Sequence, residues 1–189
     1  MSILQSRADT LSLCALSDAP DDQSLALRHI RNEDGVRANM YTHREIGPEE
    51  HRRWLAGVRD DPARRLYLIR HHDTLIGALA FSAIDGTHRR ADWAFYLTAA
   101  VRGQGLGRAL ELRALDLAFG SLGLNKLNCE VIAWNTAVIA MHKGFGFIEE
   151  GRRRDHVQRD GVFHDVYLLG ITAQEWQAIR PAAIKDKTP

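Results

Sequence analysis

From Val101 to Arg108 the chain reads Val-Arg-Gly-Gln-Gly-Leu-Gly-Arg, with three alternating glycines lying between an apolar strand pattern and an amphipathic helix pattern. Residues of this type and spacing make an anion cradle. Glycine tolerates positive φ and has no Cβ, so backbone can close on a ligand, and the unpaired N–H groups of a helix's first turn point at whatever lies in front of them. The chemistry implied is the binding of a phosphate group. A P-loop would need Gly-Lys-Ser/Thr, where this chain has Gly107-Arg108-Ala109, and a dinucleotide fingerprint should open the first βαβ unit. The loop instead lies mid-chain after several strand patterns, which leaves the pyrophosphate of coenzyme A as the third reading.

The elements that must position this loop follow from periodicity. Leu11 to Leu16 alternates as a first strand, Asp21 or Asp22 can cap a helix running to about Arg31, and a short helical piece covers Val36 to Met40. Gly47-Pro48-Glu49-Glu50 starts a helix that Pro62 ends. Leu66 to Ile69 and Leu75 to Ile84 form a hairpin around His71-His72-Asp73, and His88 to Leu97 is the strand that feeds the glycine loop. The apolar stripe Leu106, Ala109, Leu110, Arg113, Ala114, Leu117 and Ala118 predicts a helix to about Gly120. A strand from Lys126 to Ile132, a helix from Asn135 to Gly144, and a hairpin of Phe147 to Gln158 with Val162 to Leu169 follow, and Thr172-Ala-Gln-Glu175 is a capping box for a last helix. Residues 1–10 and 181–189 read as flexible ends of a single domain spanning 1–189.

Composition bounds the function. The chain has 189 residues, 45% of them apolar, and a formal net charge of +1. That is one ordinary globular core, and near-neutral charge argues against nucleic acid as the main partner. Two cysteines, Cys14 and Cys129, form no disulfide framework, and no apolar run or leader pattern suggests a membrane or export, so a cytoplasmic protein is expected. No spacing of His, Cys or carboxylates suits a metal.

Arg-x-x-Gly-x-Gly at 102–107, followed by Asn135-Thr-Ala-Val-Ile-Ala-Met-His-Lys-Gly-Phe-Gly-Phe147, resembles the GCN5-related N-acetyltransferase superfamily. The resemblance implies an α/β fold: a mixed, mostly antiparallel sheet of about seven strands flanked by helices. It also implies that the sheet is splayed where acetyl-CoA, the expected co-substrate, binds. Backbone near Leu97 would face the thioester, and Val101, Arg102, Gly103, Gln104, Gly105, Leu106, Gly107 and Arg108 would hold the pyrophosphate. Asn135 would bond to pantetheine, or serve only as a helix cap. At the place of His142 most members carry a tyrosine that protonates the leaving thiolate. Free histidine titrates near 6.5 and tyrosine near 10, so an imidazolium would be the stronger acid but only partly populated at neutral pH. A non-catalytic acyl-CoA-binding module is the contrasting reading. Glu130 alternates against Leu127, Cys129 and Val131, so it should reach the gap and orient the amine or accept its proton. Ser82 is a candidate relay. Cys129 lies among apolar neighbours, which favours direct transfer over an acyl-cysteine.

Within the superfamily, Met40 to Ile46, Pro48 to Trp54 and Ala91 to Leu97 are similar to the N-acetyltransferases of pseudaminic acid biosynthesis. That resemblance implies a UDP-linked 4-amino-4,6-dideoxy sugar as acceptor. Arg28, Arg31, His43, Arg44 and His51 could supply charge and donors to it, Met40, Tyr41 and Trp54 apolar surface, and Tyr96 could line the acceptor side. The segment from 28 to 53 holds six arginines against five carboxylates, which mildly favours an anionic acceptor. Protein N-terminal or ribosomal-protein acetylation and polyamine acetylation are the alternatives. The closing strands offer an edge for a possible homodimer.

Overall fold

The computed structural model describes residues 2–185. In chain order these form α1 (Ile3–Asp9), β1 (Leu11–Ala15), α2 (Asp21–Arg31), α3 (Asp34–Arg37), α4 (Pro48–Asp60), β2 (Arg65–His71), β3 (Thr74–Asp85) and β4 (Arg90–Leu97). After a single 3₁₀ turn, Ala99–Val101, come α5 (Leu106–Asp116), β5 (Lys126–Ile132), α6 (Thr136–Gly144), β6 (Ile148–Arg159), β7 (Val162–Thr172) and α7 (Ala173–Ile184). The seven strands make one sheet in the order β1-β2-β3-β4-β5-β7-β6. Only the β4–β5 pair is parallel; the other pairs are antiparallel. Among the described residues no helix is long and apolar enough to cross a membrane.

Alternation along the strands divides the core between the two faces of the sheet. Leu79, Phe81, Trp93, Leu127, Leu169 and Ile171 pack with α5 residues Leu110, Leu112 and Leu115 on one face. Leu66, Leu68 and Ala78 pack with Leu27 of α2 and Leu55 and Val58 of α4 on the other. Helix α5 is buried well beyond its expected stripe: Glu111, Leu112 and Leu115 are inside, whereas Arg113 is only partly covered. It also ends earlier than expected, giving way to a wider π-helical turn, Leu117–Ser121.

Both ends depart from the expected fraying. Residues 3–9 form a helix capped by Ser2, and its Leu4 and Ala8 join the main core. Apolar residues at i and i+4 on one helical face explain this once α5 is there to receive them. Leu4→Ala is therefore expected to lower unfolding free energy by about 2 kcal/mol, measured by urea denaturation; a frayed segment would show no change. At the other end Thr172 and Glu175 form the capping box, and the Arg180 guanidinium grips the Asp116 carboxylate with 2.7 and 2.8 Å bonds. The helix continues through Ile184, which packs on the core, so the chain is ordered past Arg180. Residues 186–189 of the expected loose tail lie outside the described residues. The short helix expected over Val36 to Met40 forms earlier, at Asp34–Arg37.

Candidate active site

Strands β4 and β5 pair only at Arg90↔Lys126, Ala91↔Leu127 and Asp92↔Asn128. Beyond that point β4 stays paired to β3 as far as Leu97, while β5 stays paired to β7 as far as Ile132. Two strands held by opposite neighbours must diverge, and the backbone of Trp93 to Leu97 facing β5 has no strand partner. A cavity of about 1080 Å³ occupies this splay. The glycine loop closes one end of it. Gly103 and Gly105 both have φ of +75°, and Gly105 caps α5 without a side chain. The N–H groups of Val101, Arg102 and Gln104 donate to carbonyls within the turn, at 3.1 to 3.4 Å. Those of Gly103, Gly105 and residues 106–108 take no part in these turn bonds, as an anion site requires. Gln104 does not line the cavity; its side-chain amide donates to the Ala100 carbonyl at 3.0 Å. Val101, Leu106, Val138 and Met141 give the middle of the cavity an apolar wall, and Asn135 opens α6 beside it with no capping hydrogen bond from its side chain.

At the opposite end Tyr41, Ser82, Asp92, Tyr96 and Glu130 line the same space. Glu130 points away from buried Leu127, Cys129 and Val131 as the alternation requires. Its carboxylate accepts from the Tyr41 hydroxyl at 2.5 Å and from Arg153. Burial, followed by this hydrogen bond to a carboxylate, pushes the Tyr41 phenol well above the ordinary range. Burial does the same to Tyr96. Ser82 sits where the β3–β4 register breaks, opposite Asp92, and Asn128 donates to Asp92 at 3.3 Å. His142 also lines the cavity, but it is only 3% exposed and packed by the rings of Trp93, Phe95 and Phe147. Its Nδ1 lies 2.8 Å from Oε1 of Glu111, a carboxyl with no exposed surface.

A splayed parallel strand pair, a glycine cradle at a helix N-terminus and an uncapped asparagine on the next helix form one site, and the model of the acetyltransferase (GNAT) family matches residues 25–147. The chain belongs to this family. It is an acetyl-CoA-dependent N-acetyltransferase. Similar curated proteins include a putative ribosomal N-acetyltransferase of Bacillus subtilis, 26% identical over 136 residues and covering 72% of each chain. The spermidine N(1)-acetyltransferase of Vibrio cholerae is 29% identical over 119 residues, 63% of this chain and 69% of the relative. The crystal structure of a spermidine N-acetyltransferase from Vibrio cholerae, in complex with CoA and spermine, superposes with a TM-score of 0.82 at 22% identity, covering 89% of this chain and 99% of that one.

Several residues expected in the acceptor pocket of this acetyltransferase lie elsewhere. Arg28 donates to the Ile46 carbonyl at 3.2 Å and Arg31 to the Thr42 carbonyl at 2.9 Å, so both tie down the segment between α3 and α4. Arg37 does the same at His43, Arg44 pairs with Glu50, and Arg52 pairs with Glu49. Backbone carbonyls of a loop need donors, and these guanidinium groups supply them. Five of the six arginines between 28 and 53 are thus engaged within the segment itself, and none of the six lines the cavity. His51 is a core histidine: it is 2% exposed, its Nε2 lies 3.0 Å from the Ser24 carbonyl, and burial lowers its pKa. Trp54 stacks on it from the surface, and neither Trp54 nor exposed His43 lines the cavity. Met40, Tyr41 and Tyr96 do line it. Glu111 is the site-adjacent group that sequence reasoning missed. A carboxylate flanked directly by Leu110 and Leu112 and one turn before Ala114 and Leu115 was the available signal.

Proposed function

We propose that this acetyltransferase transfers acetyl from acetyl-CoA directly to a primary amine of a small cationic acceptor of the polyamine type. The observation that carries the reading is the charge at the two ends of the cavity: Arg102 and Arg108 line the cradle end, whereas the charged residues lining the acceptor end are the carboxylates Asp92 and Glu130. An anionic sugar nucleotide would meet the Asp92 carboxylate there, beside a Glu130 that Arg153 pairs, and five of the six arginines that favoured it are engaged with loop carbonyls and carboxylates. Similarity to spermidine acetyltransferase of Vibrio cholerae, in sequence and in fold, supports the same acceptor class.

Acetyl-CoA supplies the thioester to which the amine adds. The cradle N–H groups hold its pyrophosphate, Asn135 is free to bond its pantetheine arm, and the unpaired β4 edge ending at Leu97 presents N–H groups to the carbonyl oxygen. Glu130, held by Tyr41 and Arg153, orients the acceptor ammonium and takes its proton through water. Ser82 and Asp92 complete that wall. Direct transfer is supported by Cys129, whose thiol burial pushes far above its ordinary range, so a thiolate nucleophile is disfavoured.

Thiol release from acetyl-CoA tests the reading, with spermidine, spermine, a UDP-4-amino-4,6-dideoxy sugar and N-terminal peptides as acceptors and product masses recorded. Acetylated spermidine is expected. Glu130→Gln should raise the KM for spermidine about tenfold, the value of one charge-assisted contact of roughly 1.5 kcal/mol, while the KM for acetyl-CoA stays put. Acetylation of the sugar or peptides alone would overturn the acceptor class.

A further inference from the structure

Glu111 is an ionisable group that the fold does not explain. It sits in mid-α5 with no exposed surface, one carboxyl oxygen on His142 Nδ1 and the other buried without a partner. Packing alone would have favoured an apolar residue there, because a half-satisfied buried carboxyl is destabilising. The side chain hydrogen-bonded to it is the histidine that lines the acetyl-transfer cavity. With Nδ1 turned to Glu111, Nε2 is the nitrogen left for that cavity.

We propose that Glu111 is a positioning residue, holding His142 with Nε2–H toward the cavity so that the buried pair is the proton donor to the departing thiolate. This rests on the acetyl-transfer reading of the site. The loaded pair carries one shared proton between the carboxyl and Nδ1. Whether that proton resides on Glu111 as a carboxylic acid or on Nδ1 beside a carboxylate, Nε2 bears a hydrogen, and the pair has no net charge. In the reaction the C–N bond forms, the C–S bond breaks, and the sulfur that receives the electron pair takes the Nε2 proton to become a thiol. The pair is left as a carboxylate accepting from Nδ1–H of a neutral imidazole. A single negative charge in this apolar pocket is unfavourable, which drives reprotonation from water. Burial raises the Glu111 carboxyl, opposed by the His142 bond and by Arg108, in keeping with a pair that retains its proton. Besides His142 and the Arg108 guanidinium, Cys129 of β5 faces Glu111 and is held as a neutral thiol by burial. Trp93, Phe95 and Phe147 face the imidazole and carry no charge.

The test is nitrogen-15 NMR of His142 in the wild-type protein and in Glu111→Gln, alongside the pH dependence of kcat on whichever amine is acetylated. In the wild type Nε2 should carry a hydrogen at pH 8, where the kinetic comparison is made. Glu111→Gln preserves an acceptor for Nδ1 but removes the charge, so Nε2 should lose its hydrogen at lower pH. The alkaline fall of kcat should move down in parallel, and kcat at pH 8 should drop about tenfold with the KM for acetyl-CoA unchanged. A folded Glu111→Gln protein with unaltered kcat and pH profile would make Glu111 purely structural and overturn the proposal. If that variant does not fold, the wild-type spectrum decides, and an Nε2 that is unprotonated above pH 7 overturns it. Wild-type inactivity on polyamines with a retained Nε2 hydrogen counts against the acceptor class and in favour of the dyad.

Discussion

Gly105→Val is expected to leave the protein folded and unable to hold acetyl-CoA. Gly105 has φ of +75° and ψ of 6°, a left-handed conformation that costs an L-residue with a Cβ about 1–2 kcal/mol. A Cβ there would also come within 2.5 Å of the Arg7 guanidinium. That obstacle is the far end of a flexible side chain and can swing aside, so the fold survives. The cradle does not. A β-branched residue resists the left-handed conformation that sets the Gly105 N–H and the start of α5, so the turn proposed to hold the pyrophosphate is reshaped. Losing two charge-assisted hydrogen bonds of about 1.5–3 kcal/mol each weakens binding by roughly a hundredfold or more. Calorimetric titration with acetyl-CoA, beside a thermal melt, checks both halves. Wild-type affinity would mean the phosphate is held elsewhere.

Gly77→Val should fail differently, by breaking the sheet next to the splay. A Cβ at Gly77 would meet the Tyr96 carbonyl oxygen at 2.0 Å, the Tyr96 carbonyl carbon at 3.0 Å and Leu97 Cα at 3.1 Å. All three are backbone of β4, paired to β3 at Gly77↔Leu97, so no rotamer change relieves the contact. Either the last β3–β4 pairs open or the protein does not fold, and a loss of about 4 kcal/mol or more is expected. If the Leu97 edge donates to the thioester oxygen as proposed, protein that survives should lose kcat on the order of a hundredfold, because that edge is displaced. Urea denaturation and single-turnover acetyl transfer measure the two effects. Stability within 1 kcal/mol of wild type would show that β4 can yield here.

These two glycines mark the boundary between what could be read and what could not. Gly105 is legible because its neighbours in sequence carry the pattern: strand, alternating glycines, amphipathic helix. Gly77 is not, since an isolated glycine inside Leu75 to Ile84 says nothing about a carbonyl twenty residues away. The same division runs through the acceptor side. Glu130 could be assigned its direction because strand alternation is local. His51 and Arg28 could not be assigned theirs. A histidine on an amphipathic helix and arginines near a loop look alike whether they meet substrate, a Ser24 carbonyl or an Ile46 carbonyl, and the packing of α4 on α2 decides between them.

By itself, then, the sequence determined the order of strands and helices from β1 onward, the glycine loop that opens α5, the capping box at Thr172 and the face on which Glu130 lies, all products of hydrogen-bonding and side-chain periods a few residues long. The tertiary structure alone decided that the N-terminal helix docks on α5, that the arginines of residues 28–52 serve their own loop, and that His142 faces a buried Glu111 rather than solvent. Each of these depends on groups far apart in the chain, brought together by burying apolar surface, and only after that burial does the carboxyl at Glu111 acquire His142 as its hydrogen-bond partner.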